Sequence, residues 1–178
     1  MVNLHKKLKN NLWKIYSAFG VIIVFFVAII FLLIQNPIPR IVKANSFTSN
    51  EIVQAINLER KKNNLADLQQ NPKLKLASMQ KAKDMADQNY FAHINPKNDK
   101  KWSDFILDND YNYIIAGENL AKDFYNTEDL VKAWMNSPTH RENILNVDMK
   151  ETGISVLKGK LNNQDTLLVV QEFGKLVE

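Results

Sequence analysis

The rhythm of apolar and polar positions changes along this chain. Ile15 to Ile34 is a run of 20 residues without a charge. A helix of about 20 apolar residues spans a bilayer, and a helix apolar on every side has no face to offer water. The run exceeds the ~7–15 residues of a signal-peptide core. Lysines precede it, and such basic flanks stay cytoplasmic. The pattern predicts a basic cytoplasmic tail over 1-14, a transmembrane anchor or signal segment over 15-34, and a linker over 35-47 stiffened by Pro37 and Pro39. An exported domain over 48-178 completes the expected organisation. An uncleaved anchor is the preferred reading; cleavage near Ala44, after Val42-Lys43-Ala44, would instead secrete the domain.

Past the linker, apolar positions recur at helical spacing. Thr48-Ser49-Asn50-Glu51 has the form of a capping box. Ile52, Val53, Ile56 and Leu58 supply an apolar stripe, and Asn63-Asn64 closes that helix. Pro72 suits the first turn of a second helix, which carries Leu74, Ala77, Met79, Ala82, Met85 and Ala86 and runs to about Asn89. Tyr90 to Pro96 reads as a loop. A short helix over Trp102 to Leu107, a turn at Asp108-Asn109-Asp110 and a strand or extended segment over Tyr113 to Ala121 follow. Asn126 or Thr127 caps a helix over Glu128 to Asn136, and Ser137-Pro138 starts another, Thr139 to Leu145. After Asp148 the composition becomes that of strands. Glu151 to Lys158 and Asp165 to Phe173 predict a hairpin with a longish loop, Lys158 to Gln164. Helices first and strands last make the class α+β.

With 178 residues, 46% of them hydrophobic, the chain suits one domain of ordinary size. It has no cysteine, which excludes disulfides, thiolate metal sites, iron–sulfur clusters and cysteine nucleophiles. The formal net charge is +4, but six of the 23 bases (Lys6, Lys7, Lys9, Lys14, Arg40 and Lys43) precede residue 45, with no acid among them. The remainder carries 17 bases against 19 acids, so no basic face for nucleic acid is expected on the domain. The charge runs Arg60-Lys61-Lys62 and Lys97 to Lys101 read as solvated surface.

Two of the three histidines, His93 and His140, fall in the exported region, each at an element boundary where groups are displayed. Glu118 lies in the otherwise apolar Ala116-Gly117-Glu118-Asn119-Leu120, where a carboxylate requires a partner. That partner is either nearby backbone or a histidine across a cleft. Two imidazoles and a carboxylate could hold a divalent ion such as Zn²⁺, or work as an acid–base pair. Ser137, three residues before His140, reads better as a helix cap than as a nucleophile. The HExxH, GxSxG, P-loop and EF-hand patterns do not occur. Tyr90, Phe91, Trp102 and Trp134 read as core or cleft wall.

Several short blocks then occur in a distinctive order. They are Leu58-Glu59-Arg60, Asp84-Met85, Tyr90-Phe91-Ala92-His93 and Gly117-Glu118-Asn119-Leu120-Ala121. Ala133-Trp134-Met135-Asn136-Ser137-Pro138-Thr139-His140-Arg141-Glu142-Asn143-Ile144-Leu145 follows, then Thr152-Gly153-Ile154 and Gln171-Glu172-Phe173-Gly174. In these the chain resembles the CAP superfamily (SCP/TAPS: cysteine-rich secretory proteins, antigen 5, pathogenesis-related 1), and most of all its small bacterial branch. The resemblance implies an α-β-α sandwich of the CAP type around a mostly antiparallel sheet. It also implies a cleft with two histidines and two acids that can bind divalent metal. His93, Glu118 and His140 match cleft positions by motif. For the second acid, Glu151 and Glu142 are candidates from sequence neighbourhood alone. The eukaryotic histidine before TQVVW does not occur here, nor do the eukaryotic disulfides.

The preferred function is a non-catalytic binding module, tethered at the cell surface, that takes a lipid, glycan or protein ligand and could hold Zn²⁺ in the His/Glu cleft. The alternative is a metal-dependent hydrolase of peptidase type, with a metal-bound water as nucleophile. A structural envelope protein with the histidines as internal struts is the third reading. Fold membership alone does not establish a reaction.

Overall fold

The computed structural model describes residues 47–177. The expected tail, anchor and linker, as far as residue 46, lie outside the described residues. Among the described residues no helix is long and apolar enough to cross a membrane.

The first helix, α1 (Ser49–Lys62), begins at the expected capping box: Thr48 Oγ1 accepts from the Glu51 N–H, and the Glu51 carboxylate accepts from the Thr48 N–H at 3.0 Å. Further helices are α2 (Pro72–Gln88), α3 (Trp102–Leu107), α4 (Thr127–Asn136) and α5 (Pro138–Leu145). The strands are β1 (Gln69–Gln70), β2 (Tyr113–Lys122), β3 (Glu151–Leu161) and β4 (Gln164–Leu176). They form a four-stranded sheet in the order β1-β3-β4-β2, with β1 parallel to β3 and the other pairs antiparallel. The short β1 has no signal of its own in the sequence and exists through its pairing with β3.

Alternation along β4 divides the core. Val169 and Phe173 pack with Ile52, Val53 and Ile56 of α1, Leu130, Val131 and Trp134 of α4, and Ile144 of α5. Leu168 and Val170 point the other way, onto Ala82 and Met85 of α2. The result is a mixed α/β fold with helices on both faces of the sheet. Strand β2 lies at one edge, and α4 and α5 cover part of its open ladder. Trp134 Nε1 donates to Leu120 O at 3.2 Å, and Asn143 Nδ2 donates to Glu118 O at 3.1 Å. Such capping blunts an exposed edge. On the other face β3 runs so close to α2 that a Cβ at Gly153 would overlap the backbone of Leu74 and Lys75.

The structure departs from several local expectations. The β3–β4 turn is tight: pairing runs to Leu161 and Gln164, leaving Asn162 and Asn163 at φ 50° and 62°. Two successive left-handed residues match the twist of the flanking strands, so Gly159 belongs to a strand rather than a loop. Leu58 and Met79 are about half exposed; on α2 the buried stripe includes Ser78 and Lys81 instead. Arg60 is 2% exposed rather than a surface charge. Four residues after Ile56 it points inward, and it donates to the carbonyls of Ala66, Ile144, Asn146 and Met149. Ser137 does occupy the N-cap of α5, but its side chain makes no capping hydrogen bond.

Candidate functional site

The site is built on the edge strand. Glu118 of β2 stands opposite Glu172 of β4 in the antiparallel register, and both are buried. Leu120 and Val170, two residues along each strand, pack against α2, which places the two carboxyls on that side of the sheet. Burial pushes the Glu172 carboxyl well above the ordinary glutamate range, and the charge of Glu118 adds to the push. Glu118 is also raised by burial, against the opposing pull of His93 and Lys81. Glu118 Oε2 and both Glu172 oxygens would lack hydrogen-bond partners if both groups were ionised. A proton kept on Glu172 relieves part of this, since one Glu172 oxygen can then donate to Glu118 Oε2.

The Lys81 ammonium lies behind this pair. Residue Lys81 is fully buried, and its Nζ donates to Tyr90 Oη at 3.0 Å, to Ala92 O at 2.8 Å and to His93 O at 3.1 Å. Desolvation lowers its pKa, while Glu118, Asp84 and Glu172 favour the charged form. Tyr90 Oη in turn donates to Asp84, and Asn95 Nδ2 donates to the same carboxylate at 2.9 Å. Burial, and then Asp84, push the Tyr90 phenol far above its ordinary range, so it stays protonated. These bonds fasten the loop after α2 onto that helix and so fix where His93 emerges.

His93 and Glu118 meet directly: Nδ1 lies 2.6 Å from Oε1, with the imidazole 53% exposed and the carboxylate side chain wholly buried. In the neutral ring, an ionised acceptor calls for the proton on Nδ1 and leaves a lone pair on Nε2. His140 approaches from α5. Its Nδ1 is 2.9 Å from Ser137 Oγ, and its ring lies 6.5 Å from that of Trp134. Burial, and then the proximity of His93, lower the pKa of His140 and favour the neutral ring. Asparagines tie α5 to β2: Asn119 Nδ2 donates to His140 O at 3.2 Å, and Asn143 Nδ2 donates to Asn119 Oδ1 at 2.9 Å. Gly117 makes room for this, because a Cβ there would come within 2.9 Å of Asn143 Oδ1.

Of the residues named from sequence, His93 and Glu118 are in contact, and His140 is within electrostatic range of His93. Glu151 stands apart from that pair. Its oxygens accept from Asn71 Nδ2 at 2.9 Å and Tyr111 Oη at 2.8 Å. Glu142 is exposed on α5. The acid beside Glu118 is Glu172, which stands in the matched Gln171-Glu172-Phe173-Gly174 block but is not among the acids named from sequence. Lys81 is likewise legible in principle, four residues after Ala77 and seven after Leu74 on the buried stripe. Among the described residues no group of three or more His, Asp or Glu side chains is arranged to hold a metal ion.

The family model for CAP, the cysteine-rich secretory protein family, matches residues 53–173, and the chain belongs to this family. It does so without a cysteine. The chain is 38% identical over 108 residues to the uncharacterized Bacillus subtilis protein YkwD, covering 61% of this chain and 42% of that one. It is 28% identical over 114 residues to the Bacillus subtilis membrane protein YlbC, covering 64% and 33%. The match thus spans less than half the length of either relative. An extracellular protein with an SCP domain from Bacillus anthracis superposes with a TM-score of 0.60 at 26% identity, over 71% of this chain and 39% of that one. An outer surface protein of Borrelia burgdorferi superposes at 0.63 and 26% identity, over 73% and 96%.

Proposed function

We propose that this CAP domain is an extracytoplasmic binding module, held at the cell membrane by the charge-free run at 15-34, with the His93–Glu118–His140 cleft as its ligand site. The observation that carries the reading is the 2.6 Å bond between a half-exposed imidazole and a wholly buried carboxylate. A histidine oriented from behind in this way presents Nε2 outward, a common arrangement at metal and ligand sites. Relatives that are extracellular, on an outer surface or in a membrane support the location. A lipid, glycan or protein at the cell surface is the ligand class.

The donor types suit a divalent ion such as Zn²⁺. Each imidazole spends Nδ1 on a neighbour, Glu118 or Ser137, and keeps Nε2 for an ion. His93 and His140 would be the ligands, with Glu118 orienting His93. A bound ion would supply a Lewis-acid centre, the chemistry on which the alternative hydrolase reading rests.

Isothermal titration of Zn²⁺ into the metal-stripped chain, beside a His93→Ala, His140→Ala double variant, tests this. The expected result is binding that vanishes in a still-folded variant and weakens on acidification, as protons compete with the ion for the imidazole nitrogens. No binding in either protein overturns the metal reading. Peptide turnover that a chelator abolishes would move the assignment to the hydrolase.

A further inference from the structure

The β3–β4 hairpin carries a concavity of about 570 Å³, among whose lining residues are Tyr125, Lys158, Lys160, Asp165, Thr166 and Leu167. Gly153 is level with Glu172 and Gly159 with Thr166. The two places are therefore about 20 Å apart along β3, at ~3.3 Å per residue. This concavity is separate from the His93–Glu118–His140 cluster.

One wall is held rigidly. Asp123 adopts φ 61°, in the left-handed region, and swings the chain off the end of β2. Its carboxylate accepts from Thr166 Oγ1 at 2.7 Å and from Leu167 N at 3.3 Å, while its own N–H donates to Leu167 O at 2.9 Å. Two residues on, Tyr125 stands 73% exposed. The mostly buried Leu167 supplies an apolar floor. Lys158 and Lys160 project from the same side of β3. Lys160 meets Asp165 only loosely, at 3.7 Å with both side chains largely exposed, and Lys158 pairs with no acid among the described residues.

An exposed tyrosine offers a flat apolar face and a hydroxyl with only two side-chain torsions to order. On the face shared by Lys158, Lys160, Asp165 and Leu167, Asp165 offsets one ammonium and the unpaired Lys158 leaves a net positive charge that favours an anion. The volume falls in the usual ~300–1,000 Å³ range of ligand sites. Leu167 alone is too small a floor for an acyl chain. We propose that this concavity binds an acidic sugar, with the ring on Tyr125 and its carboxylate or phosphate between Lys158 and Lys160.

Glucuronate, glucose 6-phosphate and polygalacturonate, titrated against the full chain and followed by saturation-transfer NMR, test it, with glucose and inorganic phosphate as controls. The acidic sugars should bind saturably, and both controls at least about tenfold more weakly. Tyr125→Ala and the pair Lys158→Gln, Lys160→Gln should each weaken binding at least about fivefold at unchanged melting temperature. His93→Ala, although it disables the histidine site, should leave the affinity for the acidic sugars within about twofold. Tighter binding of the polymer would point to a surface polysaccharide as the source, and equal binding to a free sugar acid; both outcomes support the site. No saturable binding, glucose equal to glucuronate, phosphate equal to glucose 6-phosphate, indifference to Tyr125→Ala, or loss in His93→Ala would each overturn it.

Discussion

Glu118 and Glu172 stand directly opposite each other across the β2–β4 ladder, both buried. Two ionised carboxylates so placed would repel without water between them. Burial and the facing charge keep the proton on Glu172, so the native state holds it more tightly than the unfolded chain does. The stability this contributes is complete below the unfolded glutamate pKa, about 4.3, and is lost as pH rises through the raised native value. Glu172→Gln is neutral at every pH. It should melt near wild type at pH 5 and above wild type at pH 9, and melting curves that stay parallel would exclude Glu172 as the titrating group.

His140 acts with the opposite sign. Burial and His93 lower its native pKa, so the unfolded chain takes the proton first and stability falls as pH drops below about 6.5. His140→Gln should flatten this acid limb, read from denaturation midpoints between pH 5 and 7.

Lys81→Met keeps length and removes the ammonium. Tyr90 Oη and the carbonyls of Ala92 and His93 lose their shared donor, and Glu118 loses a buried counter-charge. The expected cost is at least about 3 kcal/mol in urea denaturation. A loss below about 1 kcal/mol would show that the loop is held without Lys81.

His93→Ala and Glu118→Ala should separate binding from support. The exposed imidazole can be replaced by water at Glu118 Oε1, so His93→Ala should cost about 1 kcal/mol while cleft binding disappears. Glu118→Ala removes a buried charge facing Lys81 and should cost about 3 kcal/mol or more. Equal and large losses of stability in both variants would make His93 a strut rather than a site.

Arg60→Lys keeps the charge but cannot reach four carbonyls from one compact ammonium. A loss of about 2–4 kcal/mol is expected by chemical denaturation. A neutral result would mean that solvent, not the guanidinium, satisfies the carbonyls of Ile144 and Met149.

The amino-acid sequence alone determines what is decided within a turn or two of chain. Thr48 with Glu51, Pro72 and Pro138 mark helix starts where helices do start, and of the alternatives Asn126 and Thr127 it is Asn126 that caps, because a cap acts on its own first turn. Glu118 is legible as a residue needing a partner, since a charge in an apolar strand must be met by something. The identity of the partner is another matter. Side-chain period tells which face a residue takes, whereas register tells what it meets, and register is settled by packing on both faces of the sheet. Hence Glu172, 54 positions from Glu118, becomes its neighbour only when β2 pairs with β4. Arg60 finds acceptors 84, 86 and 89 residues away that no local pattern announces. The two-residue β1 exists only because β3 lies beside it. Tertiary structure alone also turns Lys81 from one more helix lysine into the buried cation that holds His93 in place, because the carbonyls it bonds converge only after the loop folds back on α2.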